Sequence, residues 1–165
     1  MKAGSALRIK RGADLSLSGE DLGRILAGVL EKSVPFRFKA KGLSMAPFIK
    51  DGDVLTVSPL PRRGPRTGDV VAFLHPVTGK VAVHRIVRRA SGVLILKGDN
   101  APEADAPLPA GCSLGKVTRV ERSGKDVRLG TGPGRAAVAL FSRARLLEPV
   151  LKWVRRAGRR EGRGS

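Results

Sequence analysis

The sequence predicts a mainly β domain with a short helix on its N-terminal side and a basic helix at its C-terminal end. Three observations carry this. Gly and Pro are frequent, at 21 and 11 residues, while aromatics make up only 4% of the chain; that mix suits many short strands joined by turns. The apolar period switches from helical to alternating around Pro35. Beyond that point short apolar runs keep returning between turn residues, as the strands of one sheet do.

Taken in order, residues 1–17 read as a basic flexible leader and residues 18–130 as the folded domain. Residues 131–165 read as a basic amphipathic helix with its tail. Ser18 before Gly19-Glu20-Asp21 is a helix start, with acids near the positive end of the dipole. Leu22, Ile25, Leu26, Val29 and Leu30 recur at helical spacing, so the helix covers 19–32 and Pro35 ends it. Phe36, Phe38 and Ala40 then alternate with Arg37, Lys39 and Lys41, as in a half-buried strand.

Further strands are expected at 54–57, 70–74, 81–87, 93–97, 114–121 and 125–129. The segment 61–69, PRRGPRTGD, reads as an exposed loop. Residues 100–113 hold too much Pro and Ala for regular structure and read as a long loop, a length that compact domains usually reserve for function. After the linker-like 131–135, residues 136–156 place Val138, Phe141, Leu147, Leu151 and Val154 on one face with Arg and Lys opposite, and Pro149 is expected to kink the helix.

The chain has 165 residues, enough for one domain with a real core. Its apolar content of 41% argues against wholesale disorder. The formal net charge of +18 draws anionic partners, of which a membrane surface met through 136–160 is the expected one; nucleic acid is not expected, because no helix-turn-helix fits the segment before residue 36. A single cysteine, Cys112, excludes an internal disulfide and reads as a small turn or core residue. His75, His84 and Cys112 do not stand at ligand spacing, so neither a metal nor another cofactor is expected. No apolar run reaches the length of a signal peptide or of a membrane span, which points to the cytoplasm, with peripheral contact at the inner face of the membrane.

Three segments carry candidate chemistry. In Gly42-Leu43-Ser44-Met45-Ala46-Pro47, a small hydroxyl sits between turn residues just after a strand, where it offers a nucleophile and a backbone N–H for an oxyanion together. In residues 81–87 a histidine, His84, interrupts an alternating strand on the face opposite Val81, Val83 and Arg85. Neutral imidazole is the usual general base near pH 7. Lys97-Gly98-Asp99-Asn100 and the later Asp105 supply carboxylates able to orient an imidazole. Taken singly, each segment is ordinary: a Ser in a turn, a His on a sheet face, an Asp in a Gly-Asp-Asn turn.

Together they resemble one family. Gly-x-Ser-Met-x-Pro (42–47), Gly52-Asp53, and Gly68-Asp69-Val70-Val71 are similar to the nucleophile region of type I signal peptidases and of the self-cleaving SOS repressor peptidases. The bacterial forms of both groups use Lys as base. Val83-His84-Arg85 instead resembles the archaeal and endoplasmic-reticulum branch, as do Lys97-Gly98-Asp99-Asn100, the second Asp six residues on, and Leu114-Gly115-Lys116-Val117. The resemblance spans about residues 36–120 and implies a coiled β-sheet domain.

It also implies that Ser44 attacks a peptide carbonyl, with His84 as base. Asp105 is then the first choice to orient His84, and Asp99 a supporting or alternative carboxylate. Gly42, Met45 and Pro47 join Ser44 around the oxyanion and substrate. Many bacterial relatives place a Ser hydroxyl where Gly42 stands, so any second oxyanion donor must come from elsewhere. The implied substrate is a peptide or protein precursor cut after small apolar residues. The other reading is a non-catalytic or self-processing regulatory module of the same fold, bound to nucleic acid or to a membrane surface. The family's transmembrane anchor is not visible in the sequence, and the oligomeric state is not legible.

Overall fold

The computed structural model describes residues 18–127. The leader and the basic helix expected at 136–156 lie outside the described residues. Helix α1, Gly19–Glu31, begins where its cap residue predicts: Ser18 Oγ accepts the Asp21 N–H at 3.1 Å, and Glu20 and Asp21 occupy the first turn. It buries Gly23, Leu26 and Leu30. Gly23 permits close approach, since a Cβ there would lie 2.6 Å from Leu74 Cδ2. Full burial of Leu26 and Leu30 contributes about 1.5–3 kcal/mol each.

Eight strands follow: β1 Phe36–Lys39, β2 Val54–Ser58, β3 Val70–Leu74, β4 Val81–Ala90, β5 Val93–Lys97, β6 Leu108–Pro109, β7 Ser113–Arg122 and β8 Lys125–Asp126. They form one sheet in the order β1-β2-β7-β3-β4-β5-β6, with β8 paired to β7. Every pairing is antiparallel. The register shifts at Thr56/Val57, Ala72/Phe73 and Ile86/Arg88. Such bulges bend strands and increase their twist, which is how one sheet coils around more than one core.

Two apolar clusters result. Val70 and Ala72 join Leu26, Leu30, Leu55, Val57, Val117 and Val120 under α1, while Val71 and Phe73 join Ile86, Leu94, Leu96 and Leu108 on the other side. Strand β3 supplies both faces, so residues 70–73 are buried in succession. That is why its sequence reads as a continuous apolar run rather than an alternation.

The mainly β expectation holds, as do the positions of α1, β1, β2, β3 and β5. Strand β4 runs past residue 87 to Ala90, and β8 is shorter than the expected 125–129. The segment 100–113 is more ordered than its composition suggests. Buried Leu108 pairs with Leu94, Pro109 is tolerated because β6 is an edge strand, and Ala110–Cys112 forms a 3₁₀ turn. Cys112 is exposed on that turn.

Candidate active site

Ser44 stands in the turn that follows β1. The turn is anchored at both ends. The Ala40 N–H donates to Asp53 O at 2.8 Å, the Gly52 N–H donates to Ala40 O at 2.9 Å, and the Gly42 N–H donates to Asp51 Oδ1 at 2.8 Å. Gly42 has φ +95°, a left-handed conformation that suits glycine. Met45 and Ile49 plug into the α1-side core at 4% and 3% exposure, so the loop is rooted while Ser44 itself stays exposed. The Ala46–Pro47 bond is cis.

His84 lies on β4 opposite Val71, with its ring 5.7 Å from that of Phe73. Its face is the one away from α1, as the alternation of β4 dictates. Asp105 reaches the imidazole from the segment after β5, where the Asp105 N–H donates to Leu96 O at 2.8 Å.

Three separate elements therefore meet. His84 Nε2 is 3.2 Å from Ser44 Oγ, and His84 Nδ1 is 2.5 Å from Asp105 Oδ2. The neutral tautomer that satisfies both contacts carries its proton on Nδ1, donates it to Asp105, and accepts from the Ser44 hydroxyl. The His84 and Asp105 side chains are only 13% and 21% exposed. A hydroxyl, an imidazole and a carboxylate in that sequence can pass a proton away from the hydroxyl and hold the resulting imidazolium.

Asp99 does not join this row. Its carboxylate accepts from Arg85 Nε at 2.8 Å and from Arg85 Nη2 at 2.7 Å, and both side chains are fully buried. The expectation that Asp99 supports or replaces Asp105 beside His84 is therefore corrected: Arg85 neighbours His84 in sequence but projects to the opposite face of β4 and takes Asp99 with it. Arg85 Nη1 also donates to Gly68 O at 3.0 Å, and its guanidinium lies 5.3 Å from the Phe48 ring centre.

The turn rooted by this ion pair grips the Ser44 loop. Asn100 N–H donates to Ser44 O at 2.7 Å, Asn100 Nδ2 donates to Leu43 O at 3.3 Å, and a Cβ on Gly98 would come within 2.6 Å of Ser44 O. Sequence reasoning missed both Arg85 and Asn100 as contributors. The available signal was an arginine embedded in an apolar strand, which once buried requires a carboxylate. Of the residues expected around the oxyanion, Gly42 and Pro47 flank the exposed loop, and Met45 points into the core.

One curled antiparallel sheet with the short helix α1 packed on it is consistent with the S24-like β fold. A family model described as Peptidase S24-like matches residues 17–118, and the chain belongs to that family. No curated protein matches the chain. Among the described residues no helix is long and apolar enough to cross a membrane.

Proposed function

We propose that the protein is a serine endopeptidase of signal-peptidase type, in which Ser44 is the nucleophile, His84 the general base and Asp105 the group that orients His84. The observation that carries this reading is the continuous contact from Asp105 through His84 to Ser44, assembled from three elements far apart in sequence. A histidine merely satisfied on a sheet face would have no reason to meet an exposed serine hydroxyl with its second nitrogen.

In the reaction, a lone pair of Ser44 Oγ forms a bond to the peptide carbonyl carbon while His84 Nε2 takes the hydroxyl proton. The carbonyl π pair moves onto oxygen, and the Ser44 N–H stabilises that charge. Collapse breaks the C–N bond, and the amine leaves with the proton from His84. Water then attacks the acyl-enzyme by the same route and releases the acid.

An extended substrate has room beside the site. Strand β5 pairs with β4 only from Arg85 onward, so residues 81–84 have a strand neighbour on the β3 side alone. Ile86 bonds to Asp69 and Gly68 on the β3 side, so alternation turns the backbone groups of Val81 and Val83 toward the open side. Addition of a substrate strand there brings its carbonyls past Ser44. The half-buried Ala40, Val81 and Val83 nearby suit small apolar side chains. The use of His84 where bacterial relatives use Lys favours the archaeal and endoplasmic-reticulum branch. The basic chain favours contact with an anionic membrane surface.

A self-processing reading requires a scissile peptide in extended form at Ser44. Two Ala-Gly pairs stand upstream: Ala27-Gly28 lies inside α1, where its backbone is committed to helical hydrogen bonds, and Ala3-Gly4 lies outside the described residues.

The test is labelling with a fluorophosphonate at pH 7–8. Wild type is expected to react at Ser44, and Ser44→Ala, His84→Ala and Asp105→Ala to react little or not at all. A folded wild type that stays unlabelled, both alone and with anionic vesicles, would overturn the reading in favour of a binding module.

A further inference from the structure

Gly42 offers the oxyanion no side-chain hydroxyl, so the way the Ser44 N–H is held matters the more. Asn100 is placed to hold it. Its own N–H takes Ser44 O at 2.7 Å and its side-chain Nδ2 takes Leu43 O at 3.3 Å. These are the carbonyls of the two peptide units that flank Ser44. Leu43 O also accepts the Ala46 N–H at 3.1 Å, so it is bonded from two directions.

In a trans peptide the N–H points opposite to the C=O. Fixing Leu43 O against Asn100 therefore turns the Ser44 N–H away from Asn100, and that N–H donates to no acceptor among the described residues. A carbonyl that accepts hydrogen bonds also polarises its own peptide, which strengthens the N–H at the other end. Asn100 is in turn fixed from behind. Asp99 is buried on Arg85, Gly98 presses on Ser44 O, and the Ala101 N–H closes the turn on Gly98 O at 3.0 Å.

We propose that Asn100 is a positioning residue for the oxyanion hole: through Leu43 O and Ser44 O it aims and polarises the Ser44 N–H at the developing negative charge. This deepens the reading of Ser44 as a nucleophile and rests on it. Asn100 does not touch the reacting atoms. Its loss leaves Ser44, His84 and Asp105 in contact but lets the Leu43–Ser44 peptide turn.

The experiment compares wild type, Asn100→Ala and the isosteric Asn100→Asp, which replaces the donor with a group that repels Leu43 O. The probe is a fluorophosphonate, whose adduct places an oxygen in the oxyanion position. We expect the second-order labelling rate to fall about 10- to 100-fold in both variants, less than the 10²–10³ lost when an oxyanion donor is removed outright. In Asn100→Ala the midpoint of the pH–rate profile and the thermal midpoint should not move, because the proton relay and the fold are intact; Asn100→Asp adds a charge near His84 and is read by its rate alone. In ¹⁵N NMR the Ser44 amide should shift in Asn100→Ala while the His84 ring signals hold.

Labelling within twofold of wild type in both variants would overturn the proposal while leaving Ser44 as nucleophile. So would, in Asn100→Ala, a rate loss accompanied by a moved pH midpoint, since the damage would then lie in the His84 relay. If Asn100→Ala fails to fold, the isosteric variant decides. A wild type that does not label overturns the peptidase reading itself, and this inference with it.

Discussion

Arg85 and Asp99 lie end to end with both side chains fully buried, joined by hydrogen bonds of 2.8 and 2.7 Å. The pair links the centre of β4 to the turn that holds the Ser44 loop. Desolvating two charges is costly, and only close geometry with further hydrogen bonds offsets it. Here Gly68 O and the Phe48 face supply the additional contacts. Removing one partner strands the other charge in the interior.

Asp99→Asn and Arg85→Met are therefore each expected to destabilise the protein by about 3–5 kcal/mol. Urea denaturation measures this directly. The double variant Arg85→Met/Asp99→Leu should recover much of the loss, because no buried charge then lacks a partner. Single variants within about 1 kcal/mol of wild type would show that the pair is not a determinant of stability.

Asp105→Asn should leave the thermal midpoint near wild type but slow fluorophosphonate labelling about a thousandfold or more, because the amide favours the wrong histidine tautomer. The same substitution at Asp99 acts through stability instead. Comparing the two variants at matched folded fraction separates orientation of His84 from support of the fold.

Gly98→Ala tests the clamp from its other side. The new Cβ would lie 2.6 Å from Ser44 O and 3.1 Å from Ser44 Cβ, so the turn must retreat from the nucleophile loop. Labelling should fall at least tenfold, to a greater degree than an overpacking cost of about 1–3 kcal/mol in stability would explain in a protein still folded at the assay temperature. Unchanged labelling would mean that the loop moves with the turn.

Gly115→Ala and Gly23→Ala make a contrasting pair under α1. At Gly115 the new Cβ would meet Ser58 O, Val57 Cγ1 and Leu30 Cδ1, all at 2.7 Å; at Gly23 the nearest atom is Leu74 Cδ2, the end of a side chain that is 40% exposed. The backbone oxygen cannot move aside as a leucine methyl can. Gly115→Ala should cost about 1–3 kcal/mol, and Gly23→Ala distinctly less. Thermal denaturation of both variants checks the order.

Acid stability should depend on Asp53. Burial alone would raise its carboxyl pKa, but hydrogen bonds from Arg122 and from the Lys50 N–H, with the charge of Arg122, outweigh this and hold it below the ordinary 3.8. A carboxyl with a lowered folded pKa stabilises the protein above its unfolded pKa and loses that contribution as the pH falls through the folded value. Stability should therefore be flat in Asp53 above about pH 5 and fall below pH 4. Asp53→Asn should be less stable near neutrality and should lose part of the slope between pH 4 and 2. An unchanged slope would assign acid unfolding to other carboxylates.

Much of this architecture follows from local pattern. Ser18 with Glu20 and Asp21 is enough to start α1, Phe36 and Phe38 alternate because β1 has one half-buried face, and residues 70–73 run apolar because β3 has two buried ones. The candidate site residues were also legible, because Ser44, His84 and Asp105 stand in short segments whose types and order match a known arrangement. The resemblance puts Asp105 first and keeps Asp99 as its support or alternative; it is the tertiary structure that separates the two and gives Asp99 to Arg85. Asp99 and Asp105 are equivalent in composition, and Arg85 is one residue from His84, yet a strand sends successive side chains to opposite faces. His84 takes Asp105 on one face and Arg85 takes Asp99 on the other, and no count along the chain reveals which turn folds to which side. The contacts of Asn100 were hidden for the same reason: its bonds run to the backbone carbonyls of Leu43 and Ser44, the first 57 residues away, and backbone atoms leave no trace in side-chain pattern.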